Sequence, residues 1–335
     1  MNLHDLGEFG FINRCREHLA QRGGVRVGIG DDAAVLDGIT SPVVTCDCLV
    51  ERVHFRRDWT TPRQLGRKAV AVNVSDIAAM GGQPIAAFIS LALGPHDDLT
   101  FVDELYRGLD EAAFNYDLTI AGGDTARSLS DLMINITVIG NAPAPILRGG
   151  AREGDAVLVT GTLGDAAAGL AVLQNPDLEI AAAPRADLLQ RHHDPTARLR
   201  EMQAALAAVS RSSNIHAAID ISDGLLGDAG HVAQASGVSI ELEMERLPVT
   251  KICRDAARAL RCKESEWVLR GGEDYELLLC VAPLEAAAVI AAVTAATGTP
   301  VTEIGRCVPR ASEAVTLIQT DGRRIIAPAI GFTHF

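Results

Sequence analysis

Hydrophobic and polar positions along this chain follow two alternating rhythms. Residues 25–29 and 43–50 are β-rich, 62–80 repeat with helical period, 86–93 return to strand, 99–115 are helical and 132–140 are strand again. The pattern breaks around Pro143 and Pro145, and a new unit opens with a strand at Ala156–Thr160 and a helix from about Asp165 to Leu173. A polar, proline-punctuated stretch at 174–197 precedes a helix near 198–210, a turn at Asp220–Asp223 and a helix near 224–235. Strand, helix, strand, helix and strand follow through 238–308, and a last strand-like pair flanks the turn Asp321-Gly322. No short-period repeat interrupts this order. The expectation is a two-domain α/β (α+β) protein, divided as 1–148 and 149–335.

Length agrees with that division, because 335 residues exceed the size at which one core usually stops growing. With 48% hydrophobic and 22% charged residues the chain reads as a compact globule rather than a disordered one. A formal net charge of −13 and the lack of any basic run argue against a nucleic-acid partner. Of 30 basic residues only Lys68, Lys251 and Lys263 are lysine, so phosphate contacts fall to arginine. The start, Met1-Asn2-Leu3-His4-Asp5, has no basic segment followed by an apolar core, and no uncharged apolar run approaches a membrane span. Seven cysteines with no CxxC pair fit reduced thiols better than a disulfide framework. These features lead to the expectation of a cytoplasmic protein with no membrane partner.

The candidate chemistry lies in aspartates set among glycines and small residues: Asp31-Asp32, Asp47, Asp76, Asp124, Asp220 and Asp223. Any one of them alone is more commonly a turn or cap residue. As a set they suit hydrated Mg²⁺, which takes oxygen ligands and keeps several waters. Gly28-Ile29-Gly30-Asp31-Asp32-Ala33 matches a loose dinucleotide fingerprint, but two adjacent carboxylates would repel a pyrophosphate there. A Walker phosphate loop is excluded, since the chain has no Gly-Lys pair.

If 43–50 is a strand, Thr45, Asp47 and Leu49 share one face and Cys46 and Cys48 the other. Helical spacing sets Asn73, Asp76 and Met80 along one face, and an acid on an apolar helix needs a partner, for which a metal is suited. Ile120-Ala121-Gly122-Gly123-Asp124-Thr125 is read as a strand running into a glycine turn whose backbone amides could meet phosphate. Asp220-Ile221-Ser222-Asp223-Gly224 and Gly271-Gly272-Glu273-Asp274-Tyr275-Glu276 are read in the same way, each joining a strand to the next element. Phosphoryl transfer asks mainly for alignment and charge neutralisation, which a glycine-lined, multi-acid site can supply.

The strings GIGDDAAVL, TCDCLVERVHF, KAVAVNVSDIAAMGGQP, IAGGDT, AREGDAVLVTGTLGDAAAGL, AIDISDGLLGD and RGGEDYEL, with the ending GFTHF, occur in order over nearly the whole chain. Together they resemble the thiamine-monophosphate kinase family, within the superfamily typified by aminoimidazole ribonucleotide synthetase. The resemblance implies an ATP-dependent kinase that converts thiamine monophosphate to thiamine diphosphate. It implies an N-terminal mixed sheet with helices that makes a homodimer through that sheet, and a C-terminal α/β, sandwich-like domain. Mg²⁺ ligands would be Asp31, Asp47, Asp76, Asp124, Asp220 and Asp223, with Thr45 and Cys46 contributing from one strand. Tyr106, Gly123, Asp124, Arg148 and Ser222 would contact ATP. His54, Glu273 and Phe332 would contact thiamine monophosphate, and no residue is required as a covalent nucleophile. Arg52 stands where the family usually has glycine, Cys46 and Cys48 where it has hydroxyl residues, and Phe332 where it often has Trp or Tyr.

Two alternatives follow from the same residues. Another ATP-using member of the superfamily would carry a reactive Cys and Lys near its start or a Cys at its extreme end, whereas Cys15 has no nearby Lys and the sequence ends in Phe335. A non-catalytic nucleotide- or Mg²⁺-binding regulator would keep the fold without the acids, and here the acid set is complete.

Overall fold

Strict alternation along β6 (Met133–Asn141), with every second residue buried, marks a sheet that covers a core on one face only. The computed structural model in which this is seen describes residues 12–29, 33–94, 97–326 and 331. It divides into two units, 1–77 with 82–143 and 78–81 with 144–335.

In the first unit, residues 12–17 are helical (α1). A short antiparallel pair, β1 (Val25–Val27) and β2 (Val35–Leu36), precedes β3 (Pro42–Val50), α2 (Pro62–Ala79), β4 (Gln83–Leu93), α3 (Leu99–Asn115), β5 (Thr119–Arg127) and β6. The main sheet has the order β3-β6-β4-β5; β5 runs parallel to β4 and the other pairs are antiparallel. It is therefore a mixed sheet with β3 and β5 at its edges. Ile134, Ile136 and Val138 are buried on the core face, and Met133, Asn135, Thr137 and Ile139 lie half-buried on the other. Helix α3 starts as the sequence requires: Asp98 caps it, accepting from Phe101 N at 2.8 Å.

The second unit contains β7 (Ala156–Thr160), α4 (Asp165–Gln174), α5 (Ala182–His193), α6 (Leu199–Ala208), β8 (Ile215–Ile221), α7 (Leu225–Ser236) and β9 (Ser239–Glu243). After these come α8 (Lys251–Ala259), α9 (Glu264–Arg270), β10 (Glu276–Val281), α10 (Ala286–Thr297), β11 (Val301–Val308), β12 (Val315–Ile318) and β13 (Arg324–Ile326). The seven strands have the order β13-β12-β9-β11-β7-β10-β8, all antiparallel except β12 with β9. Strands β7 and β10 are buried at every position because helices cover both faces. Val157 and Val159 pack with α7, whereas Leu158 packs with α6 and α10.

Three local expectations change. The polar stretch 174–197 contains α5, whose Pro184 sits in the first turn, where a missing amide hydrogen costs no helical bond. The segment between β9 and β10 holds two helices rather than one. Strand β5 continues through Gly122, Gly123 and Asp124 to Arg127, paired with β4, so no turn occurs there. No helix among the described residues is long and apolar enough to cross a membrane.

Candidate active site

Within the first unit, β3 and α2 build one acidic group. The Thr45 hydroxyl donates to the Asp76 carboxylate, and Asp47 N donates to Asn73 Oδ1 at 3.0 Å. Asn73 is buried and its Nδ2 donates to Ala69 O one turn back in α2 at 3.0 Å, so both ends of its amide are satisfied while Oδ1 ties the strand to the helix. Thr45, Asp47 and Asp76 are thus brought together as expected. Cys46 is not: its thiol is exposed on the opposite face of β3, 3.2 Å from Asn135 Oδ1, because side chains alternate along a strand. A side-chain ligand role for Cys46 is therefore withdrawn.

His54 lies in the turn after β3, where its Nδ1 accepts from Val50 N at 3.0 Å. That bond assigns the remaining ring proton to Nε2, which makes His54 a donor toward any bound anion.

A second group forms around β5 and α3. A cavity of about 50 Å³ is lined by Cys15, Ile29, Tyr106, Gly123, Asp124 and Thr125 among others. Three residues expected at the nucleotide, Tyr106, Gly123 and Asp124, therefore share one hollow. Gly123 is required as glycine, since a Cβ there would stand 2.0 Å from Ile89 O. Tyr106 is buried and hydrogen-bonded to Cys15; burial raises its hydroxyl well above the usual range, and burial likewise pushes the Cys15 thiol up to about 12. Both groups are neutral at physiological pH.

Asp47 and Gly123 fall in one cross-strand row, Asp47–Ile136–Ile89–Gly123, at opposite edges of the sheet. Three strand spacings, roughly 14 Å, separate them.

Within the second unit, the loop after β8 and the loop before β10 are joined. Glu273 N donates to Ser222 O at 2.7 Å, and Tyr275 N donates to Ile221 O at 2.8 Å. Gly271–Tyr275 leads from helix α9 into a strand, the reverse of the expected order. Gly272, Glu273 and Tyr275 all have positive φ, at 66°, 59° and 50°. For the two non-glycine residues that conformation costs about 1 kcal/mol each, which the paired loops must supply. Asp220, at the end of β8, and Asp223 flank Ser222, and Gly331 packs directly against Asp223.

A third acid that sequence reasoning did not single out completes this group. Asp228, in the first turn of α7, is 2% exposed and accepts from Asp223 N at 3.2 Å. Burial, and then the charges of Asp220 and Asp223, push it up to about 8. Asp220, Asp223 and Asp228 offer only oxygen donors, the type that a hard divalent cation takes. Its signal was present as the last residue of the string AIDISDGLLGD.

Arg148 is exposed, its carbonyl accepting from Ser236 Oγ at 3.1 Å, and among the described residues its guanidinium pairs with no carboxylate. Asp31, Asp32 and Phe332 lie outside the described residues. Among the described residues no three His, Cys, Asp or Glu side chains converge closely enough to hold an ion by themselves.

Residues 30–142 match the family model for the N-terminal domain of AIR synthase related proteins, and residues 152–318 match the model for their C-terminal domain. Thiamine-monophosphate kinase of Rhodopirellula baltica is 36% identical over 312 residues, covering 90% of each chain. The crystal structure of thiamine-monophosphate kinase from Stenotrophomonas maltophilia K279a has a TM-score of 0.80 at 33% identity, covering 96% of this chain and 98% of that one. A structure of AaThiL complexed with AMPPCP and TMP has a TM-score of 0.75 at 35% identity, covering 100% and 99%. Likeness of this extent, over both units and all the acid-bearing loops, leads to one conclusion: the chain belongs to the thiamine-monophosphate kinase family.

Proposed function

We propose that this protein phosphorylates thiamine monophosphate to thiamine diphosphate at the expense of ATP, by direct in-line transfer of the γ-phosphoryl group. The observation that carries the reading is the end-to-end likeness to thiamine-monophosphate kinases, including the structure complexed with AMPPCP and TMP.

A phosphate acceptor is already ionised at neutral pH, so the reaction needs no strong base. His54, fixed by Val50 N as an Nε2 donor, is suited to orient the acceptor phosphate rather than to deprotonate it. Tyr106, Gly123 and Asp124 line a hollow of the first unit suited to the nucleotide, and by the family resemblance Ser222 and Arg148 would also contact ATP. Glu273 and Phe332 receive the cationic thiazolium, one by charge and one by its ring face. Thr45, Asp47, Asp76, Asp124, Asp220 and Asp223, with Asp31, would hold Mg²⁺, and Asp228 joins them. Bound Mg²⁺ supplies neutralisation and alignment of the two anions.

A homodimer through the first unit's sheet is part of the same proposal. Its support is the exposed edge strand β3, which a second copy could pair with or cover. The seven free cysteines are what a reducing compartment keeps, and they support a cytoplasmic location.

Purified protein incubated with Mg-ATP and thiamine monophosphate should yield thiamine diphosphate and ADP, resolved by chromatography. Thiamine in place of its monophosphate, or removal of metal, should yield none. Nucleotide binding without thiamine diphosphate would contradict the assignment.

A further inference from the structure

His192 stands at the C-terminal end of α5 and belongs to none of the motifs. It is 5% exposed, and its Nδ1 lies 3.0 Å from Oε2 of Glu273. His193 packs edge-on against its ring, with centroids 5.2 Å apart. Glu273 is restrained at two points: its backbone amide donates to Ser222 O at 2.7 Å, and the buried His192 ring stands against its carboxylate within ion-pair range but without an aligned hydrogen bond. The Glu273 side chain keeps 27% of its surface exposed, enough to meet a ligand. A carboxylate on a flexible two-carbon stem gains directional value only when a rigid neighbour limits its rotamers.

We propose that His192 is a positioning residue for the phosphoryl acceptor: it orients the Glu273 carboxylate toward the acceptor's cationic ring. The proposal rests on the reading of Glu273 as the acceptor's anionic contact and extends it to a residue that does not itself touch substrate. A core histidine would affect stability alone. A positioning histidine affects the acceptor and not the nucleotide.

Steady-state kinetics of His192→Leu separate the two. The KM for thiamine monophosphate should rise about tenfold, with the KM for ATP and the saturated kcat changed by no more than about twofold. His192→Asn, whose amide nitrogen can stand where Nδ1 stands, should recover most of the loss. In a Glu273→Gln background the Leu substitution should add little, since the two residues act as one unit. Should His192→Leu not fold, His192→Gln, whose amide is one carbon too far out, carries the same expectation.

A folded variant with an unchanged or lowered KM for thiamine monophosphate overturns the role. So do an equal rise in both KM values and a failure of Asn to restore binding. If the unmodified protein makes no thiamine diphosphate, the reading of the reaction falls instead, and the two failures are distinct.

Discussion

At Arg52 the backbone adopts φ 68°, the region glycine occupies freely, and the side chain pairs with Asp131 at the surface. Arginine is therefore the strained choice at this turn. Arg52→Gly should raise stability by up to about 1 kcal/mol, read as an upward shift in thermal midpoint, since an exposed ion pair gives little in return. A lowered midpoint would show that the ion pair outweighs the strain. Asp124→Asn and Asp223→Asn belong to the same scale. Each should cut kcat at least 100-fold with an unchanged fold by circular dichroism, because both carboxylates meet ligand rather than core. Wild-type turnover in both would remove the proposed site. The candidate site residues were nominated from the sequence because each sits in a short distinctive string, whether on a strand (Asp47, Asp124), a helix (Asp76, Tyr106) or a loop (Ser222, Glu273). His192 and Asp228 were not singled out: one becomes relevant only through a contact 81 residues away in the chain, and the other looks like an ordinary acid in a first helical turn. Cys46 was assigned from the motif, and strand alternation sends its thiol to the other face.

Among elements, the segment 12–22 forms a strap along one side of the hollow proposed for the nucleotide, lining it through Cys15 and Leu19. It is held to α3 by Arg14 Nε to Asp103 Oδ1 (2.7 Å), His18 Nε2 to the same oxygen (3.1 Å), and Arg22 to Asp110 (3.0 Å). The Arg14 hydrogen bond holds Asp103 below the usual carboxylate range. A depressed folded-state pKa gives stability that is present above the unfolded value, about 4, and lost as pH falls through the folded value. Hydrogen-exchange protection of residues 12–22 should therefore weaken below about pH 4, before the core strands respond. Asp103→Asn should show weak protection already at neutral pH, together with a several-fold higher KM for ATP. Uniform protection across that range would contradict the strap. Helices and strands with clean periodicity, such as α3 and β6, matched their sequence signal closely. Helix α5 was hidden by Pro184, and β5 by a glycine pair whose turn signal was overridden by pairing with β4.

For the whole molecule, the two-domain α/β plan follows from chain length and from the break near Pro143. What pattern alone did not reveal is that 78–81 belongs with the second unit, since that grouping depends on contacts distant in sequence. Among the described residues Val44, Cys46 and Cys48 of edge strand β3 are exposed on one face of the first unit's sheet, Val44 at 64%. Strand edges of this kind invite pairing with a second copy. Light scattering should return a dimer mass for the unmodified protein and a monomer mass for Val44→Glu; a monomeric unmodified protein would contradict the homodimer. The reaction itself is tested most directly with Mg-ATP made chiral at its γ-phosphorus by oxygen isotopes, incubated with thiamine monophosphate. The account predicts thiamine diphosphate whose new phosphoryl group has inverted configuration, the mark of a single in-line displacement. Retained configuration would reveal a covalent phosphoenzyme that this site has no assigned residue to form, and absence of labelled thiamine diphosphate would contradict the kinase assignment outright.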